Sequence, residues 1–116
     1  MTVAPIEPAP APRVELRSLD TLWFQVGGTV CNLACTHCYA DSHPRRELLG
    51  TMTAEDWCAV IDDAADMGCY RVQFIGGEPL LHPGIEDFTR RARDRGMDVE
   101  ILTNGTVLSA RALAWM

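Results

Sequence analysis

Three short apolar runs, each closed by a turn of unusual composition, constrain this chain more than anything else in it. Leu22-Trp23-Phe24-Gln25-Val26 runs into Gly27-Gly28, and Tyr70-Arg71-Val72-Gln73-Phe74-Ile75 into Gly76-Gly77-Glu78-Pro79. Val99-Glu100-Ile101-Leu102 runs into Thr103-Asn104-Gly105. Runs of this length, rich in branched and aromatic residues and bounded by glycine, read as strands, the first of them as a buried one. Between them the spacing is helical. Thr53 is placed to cap a helix whose first turn holds Glu55 and Asp56. Trp57, Val60, Ile61, Ala64 and Met67 then recur along one face until Gly68. A second helix carries Ile85, Phe88 and Ala92 and stops at Gly96, and Ser109 caps a third. Strand and helix alternate three times, which predicts an α/β fold of three βα units around a parallel sheet with right-handed crossovers.

In barrels and open sheets of this kind, chemistry gathers at the carboxyl ends of the strands. The three turns should therefore share one edge. The first opens the loop Cys31-Asn32-Leu33-Ala34-Cys35-Thr36-His37-Cys38-Tyr39. Its cysteines are too close together for a disulfide framework, and they supply three thiolates where a closed tetrahedral metal site needs four. Zinc would need a fourth ligand from His37, His43, Cys58 or Cys69. A 4Fe–4S cluster on three cysteines would leave one iron open to a small ligand. A thiol redox pair at Cys35 and Cys38 requires Cys31 to be ignored. Cys58 on a helix and Cys69 before a strand are more simply small buried hydrophobes.

The bulk properties narrow the setting. A net charge of −6 argues against nucleic acid or an anionic membrane as partner. Arg90, Arg91, Arg93 and Arg95 fall on one helix among acids and read as a solvated face. The first twelve residues lack the features of a signal peptide, and no apolar run nears the roughly 20 residues that span a bilayer. The expected compartment is the reducing cytoplasm, where clustered cysteines bind metal or do redox work. Residues 1–18 are rich in proline and read as a flexible tail, with an ordered domain over 19–116; Asp41 to Gly50 reads as a long surface loop.

Cys-x3-Cys-x2-Cys, followed in order by Gly-Gly-Glu-Pro and Thr-Asn-Gly after successive strands, resembles the amino-terminal half of the radical S-adenosylmethionine (radical SAM) enzyme core, from about Leu22 onward. The resemblance implies half of a partial (β/α)6 TIM-like barrel, truncated relative to a longer enzyme and inactive alone. It implies that Cys31, Cys35 and Cys38 bind three irons of a 4Fe–4S cluster, with S-adenosylmethionine on the fourth. Reductive cleavage of that cofactor would yield a 5′-deoxyadenosyl radical for hydrogen abstraction. His37 would lie near the adenine, Gly76, Gly77 and Glu78 near the methionine amino group, and Thr103 and Asn104 near ligand or substrate, unless these last two only build a turn. Cys-Asn-Leu-x-Cys-x-His-Cys-Tyr is similar to the SPASM or Twitch branch, whose members modify peptides and proteins or act in haem-related pathways. The partners implied are S-adenosylmethionine, a peptide or protein substrate and a reductant such as flavodoxin or ferredoxin.

Overall fold

The computed structural model describes residues 2–46 and 52–116. Three strands, β1 (Thr21–Gln25), β2 (Arg71–Ile75) and β3 (Asp98–Ile101), form one sheet in the order β1-β2-β3, parallel throughout. The expected α/β class with three βα units is what the chain adopts. Strand bounds differ from the sequence reading by a single residue, as element ends commonly do.

The helices α1 (Ala54–Asp66), α2 (Ile85–Asp94) and α3 (Ala110–Trp115) follow the strands in turn. Thr53 and Asp56 form a reciprocal capping box on α1: the Thr53 hydroxyl accepts from the Asp56 N–H at 3.1 Å, and the Asp56 carboxylate accepts from the Thr53 N–H at 2.8 Å. The Ser109 hydroxyl caps α3 by accepting from the Ala112 N–H. Gly68 and Gly96 follow α1 and α2 with positive φ.

The core lies on one face of the sheet. Phe24, Phe74 and Ile101 stand level across the three strands. Phe24 stacks on Phe74 at 5.8 Å, and Phe74 meets Phe88 of α2 at 6.3 Å. Ile61, Ala64, Val72 and Ala92 complete this buried cluster, where each full-sized apolar side chain contributes about 1.5–3 kcal/mol. The other face is open. Trp23 is 68% exposed and Gln25 is exposed beside it, so β1 is buried on one side only and is not the fully buried strand its apolar run suggests. Arg71, Gln73 and Glu100 continue that polar face, with Gln73 Nε2 donating to Glu100 Oε2 at 2.7 Å.

Two further expectations change. Met67 does not extend the apolar stripe of α1; it is the residue that ends the helix, and it is 65% exposed. The arginines of α2 are also more than a solvated face. Arg91 makes a two-pronged pair with Asp62 of α1, and Arg95 reaches Asp66 one turn on, so the exposed rims of the two helices are tied. Of the expected surface loop Asp41 to Gly50, the described residues carry neither helix nor strand, but Ser42 is buried; 47–50 lie outside the described residues, as does Met1 of the proposed tail. Residues 2–18 are exposed and carry neither helix nor strand.

Candidate functional site

The loops after β1, β2 and β3 meet at the carboxyl edge of the sheet, and main-chain bonds join them first. The Gly77 N–H donates to the Gly28 carbonyl at 3.0 Å, and the Glu78 N–H donates to the Val30 carbonyl at 2.8 Å. The β2 loop thus runs as a ladder against the stretch that leads into Cys31. This contact explains Gly77. A Cβ there would stand 2.0 Å from the Val30 carbonyl oxygen and 2.9 Å from the Thr29 carbonyl carbon, closer than any side chain can come to backbone. Gly76 adopts φ +145°, and a Cβ on it would meet the Gly28 carbonyl oxygen at 3.0 Å.

Glu78 is the second join. Only 2% of it is exposed, and its carboxylate accepts from the Leu80 N–H at 3.3 Å, the Asn104 N–H at 2.8 Å and the Thr103 hydroxyl. Buried charge is tolerated when donors converge on it in this way. The bond to Leu80 also starts a 3-10 turn, Pro79–Leu81, that the sequence reading did not anticipate, although Glu78 as cap with proline next was a usable signal.

Asn104 is the third join. Its side-chain amide donates to Asn32 Oδ1 at 2.9 Å and to the Cys31 sulfur at 3.6 Å. Thr103 and Asn104 also build the turn that competed with the ligand reading: the Gly105 N–H donates to the Thr103 hydroxyl, and the Thr106 N–H to Asn104 Oδ1. The pair therefore builds the turn and, in addition, a contact to the cysteine loop.

The cysteines differ in setting. Cys31 is buried and its sulfur also accepts from the Leu33 N–H at 3.4 Å. Cys38 is half-buried, and the Ser42 N–H at 3.5 Å, the leading cause, holds its thiol below the ordinary range. Cys35 is exposed, as is His37 between them. Among the described residues, no three His, Cys, Asp or Glu side chains stand gathered as a group able to hold a metal ion. The chain brings the three thiols onto one loop without drawing their sulfurs together. The donor set still suits an iron–sulfur cluster: soft thiolates, N–H groups aimed at two of the sulfurs, and a buried Ser42 hydroxyl without a partner on the Cys38 turn.

Three of the other zinc candidates are differently placed. The Cys69 thiol is buried and donates to the carbonyls of Asp20 and Arg71. Burial pushes the Cys58 thiol up, which disfavours the thiolate that a metal needs. His43 Nδ1 accepts from the Arg45 N–H at 3.2 Å.

His82, in the stretch that leads into α2, is buried. Its Nδ1 accepts from the Gly84 N–H at 3.0 Å and its ring packs on Phe88 at 5.0 Å. Burial lowers its pKa, so the fold favours the neutral imidazole. The unfolded chain takes up that proton near pH 6.5, so the contribution is complete above this value and is lost as pH falls from there through the lowered folded value. Urea unfolding at pH 7.5 and 5.5 should show the lower stability at 5.5. His82→Gln, which cannot titrate, should flatten the difference, and an unchanged pH dependence would remove His82 as its source.

Comparison with known proteins matches residues 26–116 to the model of the radical SAM superfamily. The chain belongs to that superfamily. Among curated relatives of this radical SAM chain, Fe-coproporphyrin III synthase of Methanosarcina barkeri is 38% identical over 67% of the chain and 19% of the relative. The antilisterial bacteriocin subtilosin biosynthesis protein AlbA of Bacillus subtilis is 35% identical over 72% of the chain and 18% of the relative. The chain thus spans about a fifth of the length of these relatives. In structure, Streptococcus suis SuiB bound to S-adenosylmethionine superposes with a TM-score of 0.70 at 22% identity, over 84% of this chain and 22% of that one. At that identity the likeness bears on the fold, and the fold is a partial radical SAM core.

Proposed function

We propose that this chain carries the cluster-binding part of a radical SAM enzyme, with Cys31, Cys35 and Cys38 holding a 4Fe–4S cluster and S-adenosylmethionine completing it. The observation that carries the reading is the joining of three loops at one sheet edge, with Glu78 bonded to the β3 loop and Asn104 bonded to the sulfur of Cys31. When bound and given an electron by a reductant, the cluster and S-adenosylmethionine would supply radical hydrogen-abstraction chemistry.

The chain's own residues present thiolates, orient them and shape the approach. The Ser42 N–H favours the thiolate of Cys38. Gly76 and Gly77 keep the β2 loop free of side chains beside the cysteine loop, so that its main chain can face the methionine end of S-adenosylmethionine. Exposed His37 is available to the adenine, while Thr103 and Asn104 hold the β3 loop against Glu78 and Cys31. The substrate class we favour is a peptide or protein, on the strength of the relative that acts in bacteriocin biosynthesis. The electron would come from a flavodoxin- or ferredoxin-type donor, in the cytoplasm.

Anaerobic reconstitution of the chain is expected to give about four iron and four sulfide per chain, and Cys35→Ala should abolish uptake while leaving the far-UV circular dichroism unchanged. Stoichiometric zinc with no uptake of iron and sulfide would overturn the proposal in favour of a zinc module.

A further inference from the structure

The second loop asparagine, Asn32, and the β3-loop residues Asn104 and Thr106 form a closed ring of side-chain hydrogen bonds. Asn104 Nδ2 donates to Asn32 Oδ1 at 2.9 Å, Asn32 Nδ2 donates to the Thr106 hydroxyl at 2.5 Å, and that hydroxyl donates to Asn104 Oδ1 at 2.7 Å. Each member gives one bond and takes one. The ring also settles which way the Asn104 amide points. The Thr106 main-chain N–H donates to Asn104 Oδ1 at 3.0 Å, and an N–H can only donate, so the oxygen must face Thr106 and the nitrogen must face the cysteine loop. One hydrogen of Nδ2 serves Asn32, and the other is directed at the Cys31 sulfur, 3.6 Å away. The Asn104 main chain is meanwhile held by buried Glu78 at 2.8 Å, so the amide is fixed at both ends.

The three sulfurs are consequently unequal. Cys31 accepts from the Leu33 N–H and from Asn104, and Cys38 accepts from the Ser42 N–H. Cys35 is exposed, and among the described residues it accepts only at its carbonyl, from the Cys38 N–H, and not at its sulfur. Hydrogen bonds to cluster sulfurs are one of the settings of reduction potential. The reduced cluster carries more negative charge on sulfur, so a donor stabilises it over the oxidised one and raises the potential.

We propose that Asn104 is a positioning residue that fixes Cys31 and, through a side-chain N–H to its sulfur, raises the potential of the cluster. The proposal rests on the cluster reading above. Its role differs from that of a direct ligand or a substrate contact, because it acts through Cys31.

The test compares Asn104→Asp and Thr106→Val with the unaltered chain, all reconstituted with iron and sulfide and titrated by electron paramagnetic resonance. Asn104→Asp keeps the acceptor for the Thr106 N–H but turns an oxygen toward the sulfur and toward Asn32 Oδ1. Thr106→Val opens the ring without removing the amide. Asn104→Asp should change the ratio of oxidised to reduced cluster about tenfold toward oxidised at a fixed applied potential, a fall of about 59 mV for one electron. Thr106→Val should leave the ratio within about twofold. If Asn104→Asp folds by circular dichroism yet fails to load, Asn104→Ala is read instead, and the same fall supports the proposal. Equal shifts in the Asn104 and Thr106 variants, or none in either, would overturn it while leaving the cluster reading intact. Failure of the unaltered chain to take up iron and sulfide would overturn both together.

Discussion

Gly77→Ala is expected to detach the cysteine loop from the loop after β2 and to cost both stability and iron uptake. The added methyl group would sit 2.0 Å from the Val30 carbonyl oxygen and 2.4 Å from the Val30 carbonyl carbon. Both are main-chain atoms, so no side chain can swing aside. The loops must part, and with them go the bonds from Gly77 to Gly28 and from Glu78 to Val30. Overpacking of this severity costs about 3 kcal/mol, which urea unfolding would read directly. Because displaced outer supports commonly weaken metal binding 10- to 100-fold, iron retained under a competing chelator should fall by at least about tenfold. Gly27→Ala is the control. Nothing lies within 4 Å of a Cβ at that position, so it should be neutral or slightly stabilising through the unfolded chain. Equal stability in the two variants would show that the close approach is not a constraint.

Glu78→Ala is expected to be comparably costly for a different reason. It removes the acceptor shared by the Leu80 N–H, the Asn104 N–H and the Thr103 hydroxyl, at a site only 2% exposed. Donors stranded without a partner, and without easy access to water, should lower stability by about 3 kcal/mol. Glu78→Gln separates shape from charge. Its oxygen can still serve Leu80 and Thr103, but its NH2 group would then face the Asn104 N–H, donor against donor. The β3 loop should therefore loosen while the 3-10 turn persists, so that hydrogen exchange quickens at Asn104 and changes little at Leu81 and His82. An Ala variant with unaltered urea midpoint would mean that the carboxylate is not what holds the two loops.

Much of this arrangement was legible because it is encoded locally. The capping box of Thr53 and Asp56, the stop at Gly96 and the Ser109 cap each lie within a few residues of what they control. Parallel alternation of strand and helix then places three loops on one edge, so the meeting of Cys31, Gly77 and Asn104 follows from topology. The misses are non-local. The apolar run from Leu22 to Val26 does not reveal that only one face of β1 receives helices, which leaves Trp23 in the open. The spacing of Asp62 and Asp66 on α1 matches that of Arg91 on α2 and Arg95 at its C-terminal cap, yet nothing along the chain says that the two helices lie side by side. Gly77 was expected near the methionine amino group of S-adenosylmethionine. The structure adds another occupant of that space, the main chain of Val30, which lies across α1 and β2 in sequence.

The double join through Glu78 and Asn104 also bears on the order in which the molecule can assemble. Local turns close in well under a microsecond, but contacts between segments far apart in sequence carry the entropy of closing long loops and form late. The cysteine loop is synthesised early, yet its neighbour Gly77 follows only after α1, and Asn104 only after α2 as well. Until β1, β2 and β3 have paired, the three thiols belong to an unsupported loop. If these thiols hold the proposed cluster, metal delivered before that moment would meet a loose chelator and metal delivered after it a supported loop, which would tie maturation of the centre to completion of the sheet.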